Sequence, residues 1–144
     1  MMGKNFPVGE NILTLPNGGG YLYHRIAMKK VIDLLVPLCK HLILVGHVRE
    51  KTLDKKGKEY TSIDVQLTGQ LRSIIPSMCD AVGYVHRESD SGHVYIDFKG
   101  SDLLSSGSRP KHISGQNIII SEYNKEDDSY TTHWERIYNK LILN

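Results

Sequence analysis

Apolar residues change their spacing several times along the chain, and each change marks an element. Leu22, Ile26, Val31, Leu34, Leu35 and Leu38 recur at three- to four-residue intervals, with Arg25, Lys29, Lys30 and Asp33 between them. That spacing predicts an amphipathic helix over 21–38, ended by Pro37, which has no N–H to donate. Residues 42–46, Leu-Ile-Leu-Val-Gly, are then apolar without a break. An unbroken run of this kind suits a parallel strand buried on both faces. Residues 1–20 carry Pro7, Gly9, Pro16 and Asn17-Gly18-Gly19-Gly20 and read as loop.

Polar positions dominate 48–63. Residues 49–58 hold five basic and two acidic side chains, and Asp54-Lys55-Lys56-Gly57-Lys58 reads as the tip of a loop or β-ribbon turning at Gly57. Thr68 is placed to cap a short helix running to about Met78, with Leu71, Ile74 and Ile75 as its apolar face. Two runs, 80–87 and 93–99, flank the turn Glu88-Ser89-Asp90-Ser91-Gly92, and the second alternates with period two. They predict an antiparallel hairpin. Residues 100–116 form a Gly/Ser-rich loop, 118–120 a short apolar strand or helix piece, and 122–128 an acidic loop. The tail through Trp134 and Tyr138 reads as a docking strand or helix.

With 144 residues the chain is expected to form one α/β domain with a core of its own. The formal charge of +2 does not by itself mark a nucleic-acid or membrane binder. Cys39 and Cys79 are too few for a disulfide framework and form no CxxC pair. No apolar run approaches the ~18 residues of a membrane span. The first residues lack the apolar stretch of a signal peptide, so a cytoplasmic location is expected.

Candidate chemistry is sparse. Asn17-Gly18-Gly19-Gly20 is followed by Tyr21-Leu22 rather than Lys-Ser/Thr, so it reads as a turn and not a phosphate loop. His47 stands at the carboxyl end of the apolar run, where open α/β sheets place ligands. It reads either as a local hydrogen-bonding residue or as a phosphate sensor. Arg49, Lys51, Lys55, Lys56 and Lys58 read as a solvated loop or as phosphate contacts to DNA or RNA, with Tyr60 available to stack on a base. His86, His93 and Asp97 have the residue types of a metal site but lack a complete ligand set, and polar cross-strand positions explain them more simply. Arg109, in Gly107-Ser108-Arg109-Pro110-Lys111-His112, reads as a surface arginine or as a guanidinium delivered to a phosphate.

Taken in order, LILVGHVREK, the basic loop, DVQLTGQLRSIIPSMCDAVGYVHR, VYIDFKGSD, GSRP and THWERIY resemble the C-terminal half of phage-encoded RecA-like AAA-type ATPases. These bind ATP and are associated with DNA recombination and single-strand annealing. The most specific segments are Gly46-His47-Val48-Arg49-Glu50-Lys51, Leu67-Thr68-Gly69 and Gly107-Ser108-Arg109-Pro110. The resemblance implies a partial RecA-like (P-loop NTPase) sheet of parallel strands with an antiparallel β-hairpin extension. It implies ATP and Mg²⁺ as cofactors, single-stranded DNA as a partner and the host cytoplasm as location. His47 would match the sensor near the γ-phosphate, 49–63 the loop leading to DNA, and Arg109 a late basic residue reaching a nucleotide in its own or a neighbouring subunit. Walker A and Walker B are expected upstream of the matched segment. The chain is therefore expected not to hydrolyse ATP alone, and to pair with a nucleotide-binding half or with itself through a sheet edge. Two rivals stand beside this: a non-catalytic binding or inhibitor module, and a small metal-dependent nuclease using His86, His93 and Asp97.

Overall fold

The computed structural model describes Leu15, residues 19–55 and residues 57–138. Most of the expected leading loop, and Lys56, lie outside the described residues. The chain divides into two compact units, one made of residues up to His47 together with Gln66–Ile74, the other of Val48–Val65 and the residues from Ile75 onward.

In the first unit, helix α1 spans Gly19–Leu35 and passes into a 3-10 turn, Val36–Leu38, that holds Pro37. The element expected from the apolar spacing is present. Its burial is not as expected: only Gly20 and Ile32 are buried, and Leu34 is 70% exposed. The cause lies downstream. Leu42–Gly46 belongs to no helix or strand, and Val45 is 94% exposed. The parallel strand expected there is not formed, because a parallel strand needs neighbours to bond on its edges, and this unit has no strand among its described residues. The segment ends where the Gln66 N–H donates to the His47 carbonyl at 2.8 Å. Helix α2, Leu71–Met78, starts three residues after the expected cap. Gly69 has φ +56°, a left-handed conformation that cannot continue a helix, and the Thr68 carbonyl accepts from Leu71 N–H at 3.2 Å.

The second unit begins with the hairpin of β1 (Val48–Lys55) and β2 (Lys58–Val65), paired antiparallel along its whole length from Val48↔Val65 to Lys55↔Lys58. Gly57, at φ +74°, makes the turn, and its N–H donates to Asp54 Oδ1 at 3.0 Å. An isolated hairpin of this size is marginal in water. This one is tied at its base: Ile63 N–H donates to the Leu103 carbonyl at 2.7 Å and Ser105 N–H to the Ile63 carbonyl at 3.1 Å. Residues 58–61 are exposed and 62–65 half-buried, so the ribbon projects as an arm from that base.

Beyond α2 come β3 (Ala81–Val82), β4 (Tyr84–Arg87), β5 (Val94–Asp97), β6 (Gly107–Ser108), β7 (Asn117–Asn124) and β8 (Ser129–Thr132). β3 pairs with β6, and the main sheet has the order β4-β5-β7-β8. The β4–β5 pair is the expected hairpin, with β4 starting four residues later and β5 starting one later and ending two earlier than the runs 80–87 and 93–99. The expected acidic loop is divided between β7 and its turn into β8. Every ladder between these strands is antiparallel. The protein is thus mixed α and β, and the parallel RecA-like sheet is not formed among the described residues.

The core lies under the main sheet. Phe98, Ile113, Ile118, Ile120 and Ile137 form it, with Val94, Ile96, Ala81 and Tyr138 packed against it. The tail docks by a short 3-10 turn, Trp134–Arg136. His133 N–H donates to the Ile120 carbonyl at 2.8 Å, His112 donates from Nε2 to the Ile137 carbonyl at 2.9 Å, and Arg136 pairs with Glu122 at 2.7 Å. The Arg136 hydrogen bond holds the Glu122 carboxyl below its ordinary range against a smaller opposing effect of burial, and the Arg136 and His133 charges add to the lowering. A carboxyl lowered on folding stabilises the fold above its unfolded value of about 4.3 and loses that contribution as pH falls through the folded value. Acidification below about pH 4 is therefore expected to release amide protection at His133 before that of β5 and β7. Hydrogen exchange read by NMR checks this, and Glu122→Gln should abolish the acid-dependent step.

Candidate nucleic-acid interface

Strand register sorts the charges of the β1–β2 hairpin. Successive residues of a strand point to opposite faces. Arg49 stands opposite Asp64, Lys51 opposite Ser62, and in the same alternation Tyr60 and Lys58 follow on β2. Arg49, Lys51, Lys58 and Tyr60 therefore share one face, and all four are exposed. Lys55 holds the register position opposite Lys58. The other face carries Glu50, Asp54 and Glu59 among Thr52, Thr61, Ile63, Val48 and Val65. Asp64 is the one acidic group on the basic face. It is half-buried at the base, and its Oδ1 accepts from the Val65 N–H at 2.7 Å. The side chains of Arg49, Lys51 and Lys58 make no hydrogen bond or ion pair with other described residues, so their charges are open to a ligand.

The sequence-level candidates thus divide. The structure collects Arg49, Lys51, Lys58 and Tyr60, while Lys56 lies outside the described residues. His47 is exposed at the end of the apolar segment of the first unit. Arg109 belongs to the second unit and turns its guanidinium toward the end of α2. It donates from Nη2 to the Ser77 carbonyl at 2.9 Å and sits 3.4 Å from the Asp80 carboxylate, while its own N–H bonds the Asp80 carbonyl at 2.8 Å. A cation bonded to the last carbonyls of a helix complements its dipole, so Arg109 ties its loop to α2. With Cys79, Asp80, Ser105, Ser106 and Ser108 it lines a cavity of about 430 Å³. Burial pushes the Cys79 thiol up, Asp80 adds to the rise, and Arg109 opposes it. That thiol stays protonated and is no nucleophile at neutral pH.

His86, His93 and Asp97 do not assemble a metal centre. His93 Nδ1 accepts the Tyr123 backbone N–H at 2.9 Å, and Asp97 Oδ1 accepts the Lys99 N–H at 2.7 Å. His86 is stacked between Tyr84 and Tyr95, at 5.4 and 5.6 Å between ring centroids. These side chains serve the sheet, and no group of three metal-ligating side chains converges among the described residues.

The acidic row Glu50, Asp54, Glu59 is what sequence reading missed. Its signal was present: a turn at Gly57 fixes the pairing, and the period of two then separates the signs.

A family model described as an AAA domain matches residues 1–110. That span is well over half of the chain, which belongs to this family of AAA-type ATPase domains. No curated protein and no solved structure gives a match. Members of such a family use a nucleotide and Mg²⁺. The cavity beside Arg109 does not by itself fit that group: a nucleotide site needs converging N–H and cationic donors for phosphates and a carboxylate for the metal. Here Arg109 is engaged by Ser77 and Asp80, and no second cation lines its cavity. No helix among the described residues is long and apolar enough to cross a membrane.

Proposed function

We propose that this chain is the DNA-engaging part of an AAA-type ATPase, with the basic face of the β1–β2 hairpin holding single-stranded DNA. The observation that carries this reading is the gathering of Arg49, Lys51, Lys58 and Tyr60 on one exposed face of a ribbon anchored only at its base. The cations neutralise successive phosphates and release counterions, and the Tyr60 ring offers a stacking surface to any base. The resemblance adds the setting: recombination or replication of phage DNA in the host cytoplasm. It also directs His47 and Arg109 toward the nucleotide of the assembled ATPase. The experiment is a titration of the full chain against a labelled single-stranded oligonucleotide, read by fluorescence anisotropy at several salt concentrations.

A companion reading concerns the partner. Tyr21, Leu22, Val31, Leu34, Leu38 and the run Ile43–Val45 are all exposed, an apolar surface far larger than isolated surface residues make. Leu42–Gly46 lies in no ladder among the described residues and is open to strand pairing. Its both-faces-buried pattern suits insertion beside the parallel strands of a nucleotide-binding half. Sedimentation velocity tests this. A complex with a P-loop-bearing AAA-type half supports it, and a chain that stays monomeric in that mixture discards it.

A further inference from the structure

The acidic face of the hairpin has no role in holding a single strand, and its geometry points to one. Resting on the nucleic-acid reading above, we infer that Glu50 and Glu59, with Asp54, are specificity-determining residues that make the hairpin reject duplex DNA. The three carboxylates stand on the face opposite Arg49, Lys51, Lys58 and Tyr60, and all are exposed. A two-stranded ribbon enters duplex DNA by way of the major groove, about 12 Å wide and 8.5 Å deep. A ribbon with side chains on both faces is about 10 Å thick, judged from the spacing of packed sheets. Seated with its basic face on the groove floor, this hairpin holds its outer face level with the two phosphate rows at the rims. Glu50, Asp54 and Glu59 then face phosphates within the screening length of about 10 Å at 0.1 M salt.

A single strand has one phosphate row and free base faces. It lies along the basic face, with its bases open to Tyr60, and the carboxylates point away from it through the thickness of the ribbon. Like-charge juxtaposition of this kind separates partners by penalising the wrong one rather than by strengthening the right one. Duplex also withholds its base faces from Tyr60, since stacked pairs expose only edges.

The test compares the parent chain with Glu50→Gln/Glu59→Gln, using a labelled single-stranded 20-mer and its duplex at 0.1 M salt. Asp54 is left in place because its carboxylate accepts the Gly57 N–H and holds the turn. A control, Asp90→Asn/Glu126→Gln, makes the same change in net charge outside the hairpin. The double hairpin variant is expected to bind duplex about tenfold more tightly and single strand less than about threefold more tightly. The control is expected to leave the duplex-to-single-strand ratio unchanged. Equal tightening on both substrates, the same ratio change in the control, or a parent that prefers duplex overturns the inference. A parent that binds neither substrate overturns the nucleic-acid reading itself, and a parent that binds single strand with an unmoved ratio overturns only this one. Far-UV circular dichroism of each variant confirms that the hairpin fold persists.

Discussion

Replacing Arg49, Lys51 and Lys58 together by alanine is expected to weaken single-stranded DNA binding by about two orders of magnitude at 0.1 M salt. Each phosphate contact to a single strand contributes a counterion term with a slope of about −0.7 in log K against log salt. At 0.1 M that is about fivefold per contact, and the three together give about 10². The fold should survive, because all three side chains are exposed and make no bond with other described residues. The salt slope should also flatten by about 2 units. Anisotropy titrations of parent and variant at matched salt check both numbers. A weakening below about fivefold, or a lost affinity with an unchanged slope, would place the DNA contact elsewhere on the chain.

Phe98→Ala is expected to cost about 3–5 kcal/mol, the range for emptying a buried aromatic site. Phe98 is 4% exposed and is the largest side chain of the cluster formed with Ile113, Ile118, Ile120 and Ile137. Its backbone also bonds the neighbouring loop, through Phe98 N–H to the Gln116 carbonyl at 2.8 Å and Gly115 N–H to the Phe98 carbonyl at 3.3 Å. A small domain has only about 5–15 kcal/mol in all, so the variant should melt about 10 °C lower or more. The hairpin depends on that core indirectly. Its base bonds to Leu103 and Ser105, in the loop that leaves the strand at Phe98. DNA binding should therefore disappear together with the core as temperature rises, and not as a separate event. Thermal melts followed by circular dichroism, with anisotropy recorded in parallel, test the coupling. A loss of less than about 1 kcal/mol would mean that the cluster is not the core.

What the sequence disclosed follows from what each pattern depends on. The β1–β2 segment read as a loop or β-ribbon turning at Gly57, whereas the β4–β5 hairpin was legible because its turn at Glu88–Gly92 fixes pairing locally. The α1 periodicity was legible for the same reason. The strand at Leu42–Gly46 was not secured by its apolar run, since an unbroken run states that both faces are to be covered and says nothing about what covers them. In the described residues nothing pairs with it, and Val45 stays almost wholly exposed. The partners of Arg109 were not legible: a lone arginine in a Gly/Ser loop has no local pattern to declare them, and Ser77 and Asp80 lie about thirty positions away. Family membership came from the ordered set of short segments, which no single periodicity carries. The charge sorting of β1–β2 lay between these cases, available from turn and period together.

The claim at the centre of this account is that an AAA-domain chain meets DNA through the basic face of one hairpin. The most direct measurement is the salt dependence of single-stranded oligonucleotide binding by the parent chain. Three to five hairpin cations predict a slope of about −2 to −3.5 in log K against log salt, so affinity should fall at least about 18-fold between 50 and 200 mM. Binding that is indifferent to salt, or no binding at 50 mM, would contradict it.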